Sequence, residues 1–164
     1  MTEGFSIVRL DGEHDRTNFS CGVEALDRYF REQVGQDIKR RATACFVAVD
    51  TTTRKLAGYY TLAAAGVPLG DLPANLSKRL PRYPLVPVAL VGRLAVDQAY
   101  QGRKLGGALI WDAVSRSIRS DVAVAALVVD AKDDAAKAFY RHLGFVALSS
   151  EGRQLVLPLA KLKS

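Results

Sequence analysis

The sequence predicts a mixed α/β domain, and three observations carry that prediction. Strand-like and helix-like segments alternate along 164 residues. Two of the strand-like runs are apolar almost without interruption, as strands buried on both faces are. A glycine-rich turn joins one of these runs to an amphipathic helix. The length suits one domain, residues 1–164, with room for a real core. Apolar residues make up 49% and charged residues 24%, which excludes the disordered and fibrous classes.

Taken in order, "FSIVRL" (5–10) alternates as a first strand. "NFSCGVEALDRYFREQVGQDIKRR" (18–41) reads as helix, with Val23, Leu26, Tyr29, Phe30 and Val34 on one face and Ser20 or Asn18 available to cap. "ATACFVAVD" and "LAGYYTLAAAGV" flank the turn "TTTRK" and predict an antiparallel hairpin. "PLGDLPANLSKRLPRYPLVP" is broken by prolines and reads as an irregular segment or short helix, too apolar for a free linker. "VPVALVGRLAVD" (86–97) predicts one long interior strand. A helix then runs to about Arg119, burying Leu105, Leu109, Ala113, Val114 and Ile118. "VAVAALVVDA" is a further interior strand, "DDAAKAFYRHLG" a helix stopped at Gly144, and "FVAL" with "RQLVLPLA" two closing strands.

Lys and Arg exceed Asp and Glu by six, a balance that favours anionic partners such as nucleic acid or phosphorylated cofactors. From Leu72 to Lys104 the cations Lys78, Arg79, Arg82, Arg93, Arg103 and Lys104 face only Asp97. The N-terminus lacks a secretory pattern and no run is apolar enough to span a membrane, so a cytoplasmic protein without membrane attachment is expected. Cys21 and Cys45 are read as reduced core thiols, and the isolated His14 and His142 give no metal site.

The stretch "YQGRKLGGALIWDA" (100–113) places Gly102, Gly106 and Gly107 beside two adjacent cations at a helix entrance. A strand ending at Val96 and a loop into a helix N-terminus present free N–H groups and about half a positive charge to whatever fills the loop mouth. Glycines let the backbone approach that ligand, and Arg103 or Lys104 supply mobile charge at the rim. A phosphate group fits. Neither the nucleotide P-loop nor the dinucleotide G-x-G-x-x-G is present.

"RLAVDQAYQGRKLGGALI" (93–110) with "DAKDDAAKAFYRHLGF" (130–145) resembles the acetyl-CoA-binding core of the GNAT N-acetyltransferases. Gln101, Gly102, Arg103, Leu105 and Gly106 match the family's loop motif, while Lys104 replaces its central glycine. The resemblance implies a GNAT fold, a mixed and mostly antiparallel central sheet flanked by helices. It also implies loop amides, through Gly107, around the pyrophosphate of coenzyme A, with Leu94, Ala95 and Val96 beside the pantetheine arm. By the same resemblance Tyr140 protonates the departing thiolate. Chemically, a phenol near pKa 10 can hydrogen-bond or protonate a thiolate near 8.5. Asp133 falls where many relatives carry Asn, close to cofactor or backbone. A narrower resemblance, through "FSCGVEALDRYF", "GYYTLAAA", "LPRYPLVPVALVGRLAVD" and "VVDAKDDAAKAFYRHLGF", is to the GNAT toxins of type II toxin-antitoxin systems. It implies acetylation of the α-amino group of aminoacyl-tRNA, arrest of translation, and a cognate DNA-binding antitoxin. A homodimer is compatible with the sequence.

The acceptor can be argued from charge. Between Leu72 and Val96 there is no Asp, Glu or His to deprotonate a lysine near pKa 10.4. An α-amino group near 7.7–8.0 is already partly neutral at physiological pH and needs little more than water as base. Lys78, Arg79, Arg82 and Arg93 are then read as tRNA phosphate contacts. The alternatives are a GNAT enzyme acting on a protein or small-molecule amine, and a non-catalytic module that keeps the fold for binding.

Overall fold

In the computed structural model, residues 4–80, 82–148 and 152–160 are described. They fall into two units: the residues up to Ala63 together with Gly92–Asp112, and Ala64–Val91 together with the residues from Ala113 on.

In the first unit the expected hairpin is present. Strands β1 (Phe5–Arg9), β2 (Ala44–Asp50) and β3 (Leu56–Pro68) pair antiparallel in that order. The apolar run of β2 is buried, and Tyr59 of β3 stacks on Phe30 at 4.2 Å with Phe19 edge-on to both rings. Offset and edge-to-face rings of this kind add about 0.5–1.5 kcal/mol per pair beyond the area they bury.

The helix before β2 differs from the sequence reading at its start. It begins at Glu24 with Val23 at the cap, and neither Ser20 nor Asn18 caps it. Asp27, buried inside the first turn, instead accepts the backbone N–H of Cys21 at 2.8 Å, so a residue within the helix ties down the chain entering it. Helix α1 (Glu24–Arg28) and helix α2 (Val34–Lys39) are joined by a π turn, Tyr29–Gln33. Periodicity predicts one continuous helix, and no pattern along these residues marks the wider turn.

A second correction concerns the run 86–97, which is two strands. β4 (Leu85–Val91) ends before Gly92, and β5 (Leu94–Val96) pairs antiparallel with β3 at Tyr60, Tyr59 and Gly58. At the break, Thr61 N–H donates to the Arg93 carbonyl at 3.0 Å and Arg93 N–H to Thr61 Oγ1 at 3.1 Å. A side-chain hydroxyl thus replaces a ladder partner, which hydrophobicity cannot reveal.

In the second unit β4 runs parallel to β6 (Ala126–Asp130), β6 pairs antiparallel with β8 (Gln154–Pro158), and β8 with β7 (Val146–Ala147). Its core includes Val67, Leu76, Val86, Val88, Val128 and Val156. The proline-broken segment holds a 3-10 turn at Leu69–Asp71 and helix α3 (Ala74–Ser77), with Pro81 outside the described residues. Helix α5 (Asp134–His142) packs on β8. Of the pairings described, β4 with β6 is parallel and the others are antiparallel, so the α/β class and the mixed, mostly antiparallel pattern are as expected.

Helix α4 (Leu105–Arg119) buries Leu105, Leu109, Ala113 and Val114 as expected, together with Ile110; Ile118 is only partly buried. Its first turns lie on Gly58 of β3, where a Cβ would stand 3.0 Å from the Ala95 carbonyl oxygen and 3.1 Å from Leu109 Cδ1. Among the described residues no helix is long and apolar enough to cross a membrane, and no group of His, Cys, Asp or Glu could hold a metal ion. Gly58→Ala should therefore destabilise by about 1–3 kcal/mol, the usual cost of overpacking, measured as a lower denaturation midpoint at unchanged slope.

Candidate active site

The glycine-rich loop is built in the first unit, and its anchors lie far apart in sequence. Gln101 donates both side-chain N–H groups, one to Val96 O at 2.9 Å and one to Cys21 O at 3.0 Å. Asp97 accepts from Ala99 N–H at 2.9 Å and from Ser20 N–H at 3.0 Å, while Gln98 N–H donates to Ser20 O at 2.8 Å. Gly22 (φ +95°) passes so close to Gln98 that a Cβ would meet its side chain at 2.9 Å. The segment 20–22 is thus a wall of the loop, which sequence reading missed. Its only signal was the small-residue run Ser20, Cys21, Gly22. Cys21 and Cys45 are free and buried as expected, and burial pushes their thiols up to about 11 and about 12.

Gln101 is therefore a structural clamp, and its side-chain amide has no N–H left for a ligand. Gly102 takes φ +82° and Lys104 φ +63°, so the central position of the motif is left-handed and carries a side chain that resists it. Lys104 is exposed. Arg103 was expected to supply mobile charge, but its guanidinium lies 5.0 Å from the Phe5 ring centre and 5.5 Å from that of Tyr100. Tyr100 in turn donates to Asp50 at 2.7 Å, and this bond is the main cause holding the Asp50 carboxyl down to about 2.

Past Lys104 the chain turns into α4, and the amides of its first turn have no partner within the helix by geometry. A Cβ at Gly107 would meet nothing within 4 Å. Packing does not demand glycine there, so the space in front of this turn is open to a ligand. Of β5, one edge is bonded to β3, and the other pairs with no strand among the described residues. Leu94, Ala95, Val96 and the loop 101–107 thus lie in one unit, tied by the Gln101 bond to the Val96 carbonyl. Backbone N–H groups at a helix start are of the kind that bind a phosphate group.

Of the expected tRNA contacts, Lys78, Arg79 and Arg82 are exposed in the second unit. Arg93 belongs to the first unit, is partly buried, and lies over the Tyr29 ring.

Tyr140 sits in the last turn of α5. Asp133 caps the start of that helix, accepting from Ala136 N–H at 2.8 Å. Gly144 (φ +106°) ends it, with Gly144 N–H donating to Arg141 O at 3.0 Å and Phe145 N–H to Tyr140 O at 3.1 Å, a Schellman pair. The Tyr140 ring packs between Phe139 and Phe145. Among the six tyrosines, Tyr29, Tyr59, Tyr60 and Tyr100 tie their hydroxyls to Asp37, Leu26 O, Asp112 and Asp50. Tyr83 is exposed. Tyr140 is buried with a hydroxyl that has no hydrogen-bond partner among the described residues. Burial, with a smaller effect from Asp130, pushes it up to about 12, so it remains a protonated donor throughout the physiological range.

Comparison with known proteins identifies the family. The family model described as acetyltransferase (GNAT) domain matches residues 88–161, which run from β4 through the loop and α5 to the closing strands. Fold and site define an N-acetyltransferase that uses acetyl-CoA. A tRNA-acetylating toxin of Mycobacterium tuberculosis is 34% identical over 151 residues, which is 91% of this chain and 89% of that protein. The chain belongs to this family of GNAT toxins. The solved structure of AtaT complexed with acetyl-methionyl-tRNAfMet is similar at a TM-score of 0.83 and 29% identity, covering 94% of each chain. A tyrosine-to-phenylalanine mutant of AtaT, bound to acetyl-CoA and the C-terminus of the antitoxin AtaR, is similar at 0.78 and 26%, covering 95% of this chain and 94% of that one.

Lys104→Gly should relieve about 1–2 kcal/mol of left-handed strain and cost about 0.5–1 kcal/mol in unfolded-chain entropy. The expected net gain is about 0.5–1 kcal/mol, read as a higher urea midpoint; an unchanged or lower midpoint would mean that the lysine carries an unrecognised stabilising contact.

Proposed function

We propose that this enzyme transfers the acetyl group of acetyl-CoA to the α-amino group of aminoacyl-tRNA and so blocks translation. The chain-long likeness to a tRNA-acetylating toxin carries this reading, and the residues supply the chemistry. The first-turn amides of α4 and the loop 101–107 bind the pyrophosphate, with Lys104 as the exposed charge. The free edge of β5, Leu94–Val96, lies along the pantetheine arm. Asp133 acts by fixing the start of the helix that bears Tyr140. Lys78, Arg79, Arg82 and Arg93 serve tRNA phosphates. The GNAT domain is taken to cover 1–164, and its substrate places it in the cytoplasm.

The neutral fraction of the α-amino group attacks the acetyl carbonyl, the N–C bond forms, the C–S bond breaks, and the amine proton passes to water. Tyr140 donates from its uncommitted hydroxyl to the sulfur as charge develops. With the phenol at about 12 and the thiol near 8.5, full proton transfer would be uphill by about 5 kcal/mol. Tyr140 therefore works mainly by hydrogen bonding to the thiolate. The partner is a small antitoxin with an acidic segment that matches the basic surface of Lys78, Arg79 and Arg82 and orders on binding.

Labelled acetyl-CoA offered with total charged tRNA, a polyamine and a protein extract should label the aminoacyl-tRNA alone. Label in the polyamine or protein, with none in tRNA, would replace this reading by a general amine acetyltransferase. Tyr140→Phe should keep acetyl-CoA affinity and lose at least tenfold in kcat, with kcat/KM of the wild type rising through roughly pH 8 and holding to about pH 10. A falling limb near pH 9 would contradict a phenol raised by burial. Gly107→Ala should act with opposite signs, stabilising α4 by about 0.5–1 kcal/mol while weakening acetyl-CoA binding, because the new methyl enters the open space.

A further inference from the structure

Arg93 differs in kind from the exposed cations assigned to tRNA. Its guanidinium carbon lies 3.6 Å above the centre of the Tyr29 ring, a flat stack for a planar cation. Stacking uses the face of the group and leaves the N–H donors around its rim. Among the described residues none of those donors has a hydrogen bond or an ion pair.

Both halves of the stack are held in place. Tyr29 donates its hydroxyl to Asp37 Oδ2 at 2.7 Å and opens the π turn Tyr29–Gln33. Such turns are rare and are frequent at functional sites. The Arg93 backbone is bonded to Thr61 in both directions. Among the described residues no carboxylate pairs with this partly buried cation, and Asp37 is taken by the Tyr29 hydroxyl. The ring is therefore the partner that offsets its desolvation, and its rim is left to solvent or a ligand. Arg93 also immediately precedes β5, the strand assigned to the coenzyme arm, and the reacting amine stands at the 3′ end of the tRNA.

We propose that Arg93, held flat by Tyr29, is a fixed clamp for one phosphodiester of the tRNA acceptor end, with Tyr29 as its positioning residue. This rests on the aminoacyl-tRNA reading above. The exposed lysine and arginines contribute point charge, whereas Arg93 contributes a pre-set plane with a forked rim.

The test compares Arg93→Lys, Tyr29→Leu and Tyr29→Phe by steady-state kinetics with charged tRNA and by filter binding of deacylated tRNA. Arg93→Lys keeps the charge and loses the plane. It should raise KM for charged tRNA and Kd for deacylated tRNA about tenfold, leaving kcat, the acetyl-CoA KM and the salt slope nearly unchanged. Tyr29→Leu should behave like Arg93→Lys, and Tyr29→Phe, which keeps the ring, should recover KM to within about threefold. Should Tyr29→Leu fail to fold by circular dichroism, Arg93→Lys and Tyr29→Phe still decide. Wild-type tRNA affinity in Arg93→Lys, or a rise confined to the acetyl-CoA KM, overturns the clamp and in the second case assigns the guanidinium to a coenzyme phosphate. If the wild type acetylates other amines but no charged tRNA, the functional reading falls and the clamp with it.

Discussion

The parting of the chain at Gly92 and Arg93 is the constraint on which the site depends. Without it the run 86–97 would continue as one strand; with it, β4 lies between β3 and β6 while β5, among the described residues, pairs with β3 alone. Thr61 makes the change stable, giving the Arg93 backbone a donor and an acceptor where the ladder is interrupted. Each such bond is worth only about 1 kcal/mol net, but leaving either buried group unpaired would cost more. Once β5 is fixed to β3, the Val96 carbonyl is positioned for Gln101, and the loop and the head of α4 follow.

The same economy governs the polar groups. Tyr29, Tyr60 and Tyr100 give their hydroxyls to carboxylates and thereby join distant segments. Tyr60, for instance, reaches Asp112 on α4 from the strand that Gly58 lets the helix approach. Among the described residues Tyr140 lacks such a bond, and its helix is fixed instead through the backbone at both ends, by Asp133 and Gly144. The proposed donor is thus held by its main chain and its ring neighbours.

Left-handed non-glycine residues occur at Arg41, at Arg54 in the β2–β3 turn and at Lys104 in the loop. Lys104 occupies a left-handed conformation that glycine would take without strain, and the helix carrying Tyr29 widens into a π turn. Natural sequences tolerate such conflicts mainly where function requires a particular geometry. The π turn has a visible consequence, since it begins at the residue on which Arg93 stacks.

The sequence by itself determined the class of fold, most element boundaries and the place of the glycine-rich loop before α4. Those features are local: apolar periodicity, the glycine after α5, and the spacing of Gln101, Gly102 and Gly106 are legible within a few residues of one another. The resemblance carried by the same stretches pointed to Tyr140. Only the tertiary structure decided that the apolar run splits at Gly92, that Gln101 is a clamp, that residues 20–22 wall the loop, and that Arg103 leans on aromatic rings. It also decided that the buried Tyr140 has no hydroxyl partner among the described residues and that Arg93 lies 3.6 Å over the Tyr29 ring. Each of these depends on hydrogen bonds or ring contacts between residues remote in sequence, such as Ser20 with Asp97 or Tyr29 with Arg93. A side chain's partner is set by the packing of the whole unit, and no pattern along the chain encodes it.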